Sequence, residues 1–164
     1  MPKGDIIYRN STYIENVVRH RFVADVASEL WRREPGEPLH ILQAEVDIAG
    51  IDVVLTYKKI FRHIQLKALS KSYTKNPYAV HDSLGGLPGA CVIWICYDSG
   101  SLQPSTYHMM GRRGNSKMQS LRRFPIAKSP KTKKERLGFR AVKIDDAKFR
   151  CLSLGNLVEL LFDL

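Results

Sequence analysis

The chain has 164 residues, of which 44% are hydrophobic and 26% are charged, as in an ordinary soluble globular protein. A chain of this length can form one domain whose core needs no disulfide or metal, and we interpret residues 1–164 as a single domain. Twenty-six Lys and Arg residues against sixteen Asp and Glu residues leave a formal net charge of +10. This excess favours polyanionic partners, nucleic acid first and an anionic membrane surface second, with a basic protein that binds neither as the alternative.

Three features of the sequence bear on the compartment. The most hydrophobic run, residues 90–97, is far shorter than the roughly 20 residues that span a bilayer, so we expect no membrane segment. Residues 1–10 have no apolar core of the kind that a signal peptide needs. Cys91, Cys96 and Cys151 have no zinc-site spacing and lie in apolar surroundings, which is typical of buried free thiols in a reducing compartment. We therefore expect a cytoplasmic protein.

The first predicted element is a helix that Ser11 or Thr12 caps and that the pair Pro35-Gly36 ends. Glu15 lies in its first turn, on the apolar face, and has two interpretations: it completes a capping box with Thr12, or it is an acid aimed at a site beside the sheet. Glu29 borders the same face and is a second candidate for that acid. The apolar face itself repeats at helical spacing, with Ile14, Val18, Phe22, Val26 and Leu30 at its centre and Val17, Val23, Ala27 and Trp31 beside them.

The remaining elements predict an α/β fold with a central mixed β-sheet flanked by helices. Residues 90–97 include the clearest strand, Cys91 to Tyr97, whose Val92 to Ile95 have no polar member, as in a sheet centre buried on both faces. The stretch 69–89 is polar and then rich in Gly and Pro, so we expect a loop there, with a short helix start as the alternative for residues 70–77. The other predicted strands cover residues 39–44, 51–57, 60–68, 106–110 and 139–144, and a closing amphipathic helix covers residues 154–164.

A basic segment at residues 111–140 contains eleven Lys and Arg residues and one acid, Glu135. Such a run is commonly a solvated surface, and it can also bind phosphates with an affinity that depends on salt and not on sequence. Tyr73, Tyr78 and Tyr107 could stack on bases, although scattered tyrosines are more often part of a core edge. The candidate nucleic-acid-binding residues, which include the turn between the second and third strands, are Lys58, Lys59, Arg112, Arg113, Arg122, Arg123, Lys131, Lys133 and Lys134.

The second and third strands carry the most informative residues of the chain. Asp52 opens the second strand, and Gln65 and Lys67 point the same way near the end of the third, while Ile64, Leu66 and Ala68 point into the core. Magnesium prefers oxygen ligands, commonly one or two carboxylates with waters and a substrate phosphate. Asp52 with the oxygens of Gln65 and the Leu66 carbonyl could bind it, with Glu15 as a further carboxylate and Lys67 beside the attacked phosphate.

The run Gly50-Ile51-Asp52, followed by a hairpin and Gln65-Leu66-Lys67, resembles the active-site signature of the PD-(D/E)XK nuclease superfamily, the restriction-endonuclease-like fold. It is most similar to the variant with Gln in place of the second acid, as in Mrr-like enzymes. The resemblance covers about residues 12–98, including the helix with Glu15, since many relatives have a helical Glu upstream of the Asp.

The resemblance implies a magnesium- or manganese-dependent nuclease that acts on DNA. Asp52, Gln65 and Glu15 would be the metal-site residues and Lys67 the catalytic lysine. A homodimer is also implied, because many nucleases of this fold pair to cut both strands. Two neighbours have open roles: Asp47 either offsets the missing charge of the neutral Gln65 or solvates a turn. His63 either approaches the phosphate or has an ordinary polar or packing role.

Three functions are therefore carried forward. The first is a metal-dependent nuclease that hydrolyses DNA phosphodiester bonds with a metal-activated water. The second is a catalytically inactive nucleic-acid-binding protein of the same fold. The third is a protein-interaction module whose basic face meets an acidic partner.

Overall fold

The computed structural model describes residues 9–43, 49–70 and 76–164 of the chain. Short 3-10 helices cover Asp82–Gly86 and Ile144–Asp146. The helices and strands are α1 (Ser11–Arg33), β1 (His40–Leu42), β2 (Val53–Tyr57), β3 (Ile60–Ser70), β4 (Tyr78–His81), β5 (Ala90–Tyr97), β6 (Pro104–Gly111), β7 (Ile126–Lys128), β8 (Glu135–Val142), β9 (Phe149–Leu152) and α2 (Leu154–Phe162).

The strands form two sheets. Six of them make a mixed sheet in the order β1-β2-β3-β5-β6-β9, in which β3 and β5 are parallel and the other pairs are antiparallel. The other three make a small antiparallel sheet in the order β4-β8-β7. The prediction of an α/β fold with a mixed central sheet is therefore confirmed.

The six-stranded sheet separates two hydrophobic cores. On one face, α1 and α2 pack on alternate residues of the central strands, such as Leu55, Ile64 and Ile93. On the other face, Val92 and Trp94 of β5 join apolar residues of the small sheet and of the loops around it. The two helices of the described residues both lie on the first face, and the small sheet with its loops covers the second. The central strand β5 is buried along its whole length because both faces are covered.

The apolar face of α1 is largely as predicted, but its start is not. Ile14, Val18, Phe22, Val26 and Leu30 are buried, together with Val23, whereas Trp31 is 55% exposed. Asn10 occupies the N-cap position and Ser11 begins the helix, so the predicted cap at Ser11 or Thr12 is wrong. Glu15 is consequently the fifth helical residue and not the third, which is the position that a capping box requires.

The sequence prediction also missed most of the small sheet. Strand β4 lies within the predicted loop 69–89, and β3 extends two residues further than expected, to Ser70. The basic segment 111–140 contains β7 and most of β8, so it is not a plain loop. Strand β8 begins at Glu135, four residues before the predicted start.

The cysteines and the hydrophobic segments were also predicted from the sequence. Cys91 and Cys96 are buried free thiols, as predicted, but Cys151 is exposed. No helix of the described part of the chain is both long and apolar enough to cross a bilayer. Asp47, Tyr73 and the end of the predicted strand 39–44 lie outside the described residues.

Candidate functional site

The candidate site is built at an edge of β3 that β2 leaves uncovered. Strand β2 begins at Val53, opposite Ile64, and β3 runs on past that pair. The backbone of Asp52 still pairs with β3, because its N–H donates to the carbonyl oxygen of Ile64 at 2.9 Å. Its carboxylate oxygen Oδ2 then accepts the N–H of Leu66 at 2.6 Å. The side chain of Asp52 thus takes the place of the next strand residue and holds a carboxylate at the sheet edge.

A cavity of about 230 Å³ opens at this edge. Its lining combines carboxylates, cations and one amide with apolar side chains from α1, β3 and β5. The four residues that the sequence singled out, Glu15, Asp52, Gln65 and Lys67, all line it. The other lining residues are Val18, Arg19, Leu66, Ala68, Tyr78 and Ile95.

The strand phase explains how these side chains meet. Gln65 and Lys67 pair in register with Val92 and Trp94, whose side chains belong to the core under the small sheet. Leu66 points instead towards the core beneath α1. Because β2 is absent beside this part of β3, the cavity is reached from both faces of the sheet. Glu15 can therefore line it from α1 while Gln65 and Lys67 line it from the opposite side.

Among the described residues, the charged side chains that line the cavity are two acids and two bases. Glu15 and Asp52 carry two formal negative charges, and Arg19 and Lys67 carry two positive ones. Arg19, which the sequence reasoning did not include, donates from Nη2 to Oδ1 of Asn16 at 2.6 Å on the exposed face of α1. Its position four residues after Glu15 places both on one helix face, and that spacing is the signal that could have found it.

Gln65 is the most buried polar residue of the cavity, with 2% of its surface exposed. Its Oε1 accepts the backbone N–H of His81 at 3.2 Å, which joins β3 to the free edge of β4. Gly50 closes the space beside this bond: a Cβ at Gly50 would lie 2.3 Å from Cβ of His81 and 2.8 Å from Nε2 of Gln65. Gly50 also has a φ of +70°, a conformation that side chains rarely adopt. The glycine before Asp52 is thus required by the close approach of His81.

His81 is a second residue that the sequence reasoning missed. Its Nδ1 accepts the N–H of Ser83 at 3.3 Å and lies 2.8 Å from the Ser83 hydroxyl, which donates to the carbonyl oxygen of Ala49 at 3.0 Å. These contacts fix the end of β4 to the chain just before Asp52. His81 therefore positions the wall of the cavity, although its ring is not part of the lining.

Glu15 is exposed and has no role at the helix start, so its position at the cavity is what distinguishes it. Tyr97, buried at the end of β5, is near enough to Glu15 to feel its charge. Burial raises the pKa of Tyr97, and the negative charge of Glu15 raises it further. Tyr97 therefore keeps a neutral hydroxyl at neutral pH.

Two other candidates lie away from the cavity. Glu29 is 14 residues further along α1, which is about 21 Å at the rise of an α-helix. It forms ion pairs with Arg32 and Arg33 at 2.8 and 2.7 Å and so belongs to the contact between the helices. His63 does not line the cavity, and its Nδ1 is 3.0 Å from the carbonyl oxygen of Pro88, which gives the ring a local structural contact.

The predicted nucleic-acid-binding residues fall into two groups. The first group, Lys58, Lys59, Arg112 and Arg113, lies around the start of β3, where Arg62 donates to the carbonyl oxygen of Arg112 at 3.0 Å; this start, Ile60, is about 17 Å from Gln65 at the usual strand rise. Lys58 is paired with Glu34 at 2.6 Å and Arg113 with Asp163 at 2.9 Å. This end of the sheet is therefore partly neutralised.

The second group lies on the side of the small sheet. Arg122 and Arg123 are exposed in a turn that follows buried Leu121, and the guanidinium of Arg123 lies 4.6 Å from the ring centre of Phe124. Lys131, Lys133 and Lys134 are exposed in the connection between β7 and β8. Strand β8 pairs with β4, whose Tyr78 lines the cavity.

The donor set suits a magnesium site more than a site for a softer metal. The described residues contain no group of three or more His, Cys, Asp or Glu side chains placed to hold a metal ion. Magnesium does not need such a cage, since one or two carboxylates with waters and a substrate phosphate are its usual ligands. Glu15 and Asp52 supply two carboxylates, and Leu66 has its carbonyl on the same strand edge as the N–H that Asp52 binds.

No protein-family model, no curated protein and no solved structure matches this chain. Any activity is therefore inferred from the cavity and from the side chains that line it.

Proposed function

We propose that the protein is a metal-dependent nuclease with a restriction-endonuclease-like, PD-(D/E)XK, fold that hydrolyses phosphodiester bonds in DNA. The observation that carries the proposal is the convergence of Glu15, Asp52, Gln65 and Lys67 on one cavity. Glu15 comes from α1, 37 residues before Asp52, while the other three belong to the hairpin of β2 and β3. Asp52, Gln65 and Lys67 come together through one hairpin, so the independent part of the observation is that Glu15 reaches the same cavity from α1.

The charge of the cavity supports a divalent cation as the cofactor. The lining residues that the structure describes carry two negative and two positive formal charges and so give a phosphodiester no net attraction, whereas magnesium or manganese would add positive charge. Glu15 and Asp52 would hold the cation, with the Leu66 carbonyl and the second lone pair of Gln65 Oε1 as neutral donors. When bound, such a cation polarises a phosphoryl oxygen and lowers the pKa of a water molecule.

The other lining residues act on the substrate. Lys67 supplies an ammonium that meets the negative charge developing on the phosphate oxygens, and it can orient the attacking water. Arg19 supplies a guanidinium, which matches two phosphate oxygens at once. In the reaction the water oxygen forms a bond to phosphorus, one P–O ester bond breaks, and the products are a phosphate monoester and a hydroxyl group.

The test is cleavage of supercoiled and linear duplex DNA with magnesium, with manganese, and with EDTA. We expect cleavage with either metal and none with EDTA. Asp52→Asn keeps an oxygen that can accept the Leu66 N–H but removes the charge, and Lys67→Ala removes the ammonium. Each variant should lower the rate by about two to three orders of magnitude, as the loss of a group that stabilises transition-state charge commonly does.

The matched control is Lys148→Ala, which removes an exposed lysine just before β9, three strands away from β3 in the sheet. It should cleave like the wild type, and thermal melting of all three variants should show that they fold. Cleavage that survives both Asp52→Asn and Lys67→Ala would exclude this cavity as the active site.

A second candidate function is a nucleic-acid-binding protein of the same fold without catalysis. One observation favours it: Gln65 is neutral and its Oε1 already accepts a hydrogen bond from His81. A neutral ligand weakens the attraction of the site for a divalent cation. DNA binding that falls with salt, together with no cleavage in any divalent metal, would support this candidate over the first.

A further inference from the structure

The ribbon formed by β7 and β8 concentrates the positive charge of the protein. Residues 126–142 contain six Lys and Arg residues and one acid, so they carry +5 of the formal +10 in about a tenth of the chain. Arg140 pairs with Asp82 at 3.3 Å near the base of the ribbon. The other five are exposed and form no ion pair with a carboxylate of the described residues: Lys128, Lys131, Lys133, Lys134 and Arg136.

The ribbon also carries an exposed leucine on a bulge. Ile126 pairs with Arg140 and Lys128 pairs with Glu135. Between these two pairs the chain advances two residues in β7 but five residues in β8, so β8 contains a bulge. The three extra residues belong to the stretch 136–139, where Gly138 has a φ of +80°. Leu137 on this bulge is 79% exposed, the largest fraction among the large hydrophobic side chains of the described residues.

The bulge is joined to the candidate site by direct contacts. The guanidinium of Arg136 lies 4.2 Å from the ring centre of Phe139, and that ring is 5.0 Å from the ring of His81 in an edge-to-face arrangement. His81 in turn donates its N–H to Gln65 in the wall of the cavity. Since paired strands lie about 5 Å apart, the bulge is one strand beyond that wall. Bulges beside functional sites commonly redirect side chains, which is the effect seen at Leu137.

We propose that this ribbon is a nucleic-acid-binding arm, in which the lysines and Arg136 contact phosphates and Leu137 inserts as an apolar wedge at a base step. The chemistry of the arm matches both parts of a duplex. Cations bind the backbone whatever its sequence, and an apolar side chain can enter where two bases separate. The inference rests on the proposed function for its substrate, and it adds a preference: a distorted duplex, in which separating bases costs least, binds better than a perfect one.

The experiment measures binding without cleavage. Fluorescence anisotropy in EDTA compares the full chain on a perfect fluorescein-labelled duplex and on the same duplex with one mismatch. We expect tighter binding to the mismatched duplex. Leu137→Ser, an exposed change that leaves the fold intact, should remove this preference and leave binding to the perfect duplex nearly unchanged.

Two charge variants test the phosphate contacts. Lys131→Gln with Lys134→Gln should weaken binding to both duplexes by about tenfold and lower the slope of log K against log salt by about 2. The matched control removes the same charge at the other end of the sheet, with Lys59→Gln and Arg112→Gln, and should have a smaller effect. The proposal that the ribbon binds nucleic acid would be contradicted by equal losses of DNA affinity in the two double variants. It would also be contradicted if Leu137→Ser kept the preference for the mismatched duplex.

The outcomes separate the arm from the nuclease. If the arm variants bind DNA as expected but no metal supports cleavage, the role of the arm is supported and the proposed nuclease activity is excluded. If wild type and arm variants cut and bind DNA equally well, the nuclease activity is supported and the role of the arm in binding is excluded. Vesicles with anionic lipids provide a further comparison, and a charge variant that loses vesicle binding but keeps DNA binding would also overturn the proposal.

Discussion

The backbone N–H of His81 donates a hydrogen bond to Oε1 of Gln65 at 3.2 Å. This bond joins β3 of the large sheet to the free edge of the small sheet, and Gln65 is almost fully buried there. An amide suits this position because its oxygen accepts the N–H while the residue remains uncharged in the interior. Gln65 therefore has a structural role beside the cavity that is independent of any metal.

The first prediction concerns the charge at this position. Gln65→Glu keeps an oxygen that can accept the His81 N–H and adds a carboxylate beside Asp52. We expect it to lower the magnesium concentration needed for half-maximal cleavage by about tenfold, because a negative ligand attracts the cation more strongly than an amide. A magnesium titration of the cleavage rate measures this change.

Gln65→Ala is the companion variant. It leaves the buried N–H of His81 without its acceptor, so it should lower the free energy of unfolding by about 1–3 kcal/mol. Urea denaturation measures this loss. A Gln65→Glu protein that binds magnesium no better than the wild type would show that this side chain does not face the cation.

The second prediction concerns Gly50. Its Cβ in Gly50→Ala would lie 2.3 Å from Cβ of His81, and the positive φ adds backbone strain. We expect a loss of about 2 kcal/mol in stability and a fall in cleavage, because His81 and Gln65 must move together. Gly36→Ala is the control, since its φ is also positive but its Cβ meets nothing within 4 Å. Similar losses in the two variants would assign the effect to backbone strain alone.

The third prediction separates the two interpretations of Glu15. Because Glu15 is exposed and lies beyond the cap positions, Glu15→Gln should leave the melting temperature nearly unchanged. The same change should reduce cleavage at limiting magnesium by about tenfold, since it removes one of the two carboxylates of the cavity. A clear drop in thermal stability with unchanged cleavage would return Glu15 to a role at the helix start.

Much of the large sheet could be predicted from sequence because its signals are local. The apolar run of β5, the alternation in β3 and the helical spacing of α1 each depend on neighbouring residues, and each is found in the structure. The convergence of Asp52, Gln65 and Lys67 follows from the same alternation. These are the parts of the site that needed no knowledge of the rest of the chain.

The small sheet could not be predicted, because its strands are stabilised by distant partners. Strand β4 has four residues, and its Tyr78 pairs with Val142 far along the chain. Strand β8 begins in a run of charged residues whose strand structure comes from pairing and not from intrinsic preference. For the same reason, nothing in the sequence near His81 indicates its contact with Gln65. The position of both described helices on one face of the large sheet likewise follows from this layer, because the small sheet covers the other face.

The last prediction concerns acid stability and uses Glu29, the acid that the structure places away from the cavity. Hydrogen bonds from Arg32 and Arg33 lower the pKa of Glu29 to about 2, and its side chain is only 12% exposed. Arg33 also pairs with Glu159 at 3.1 Å, so the cluster ties α1 to α2.

A carboxyl group whose pKa is lower in the folded state stabilises the fold above its unfolded pKa, which is about 4.3 for Glu. That contribution is lost as the pH falls from about 5 to the folded pKa of about 2. Glu29→Gln should therefore lower the free energy of unfolding by about 1–2 kcal/mol at pH 7, and the difference from wild type should shrink towards pH 2. Urea denaturation across this pH range measures both. Asp145→Asn is the control, since its pair with Arg150 is exposed at both ends and should contribute little at any pH. A difference between Glu29→Gln and wild type that stays constant down to pH 2 would contradict the assigned ion pairs.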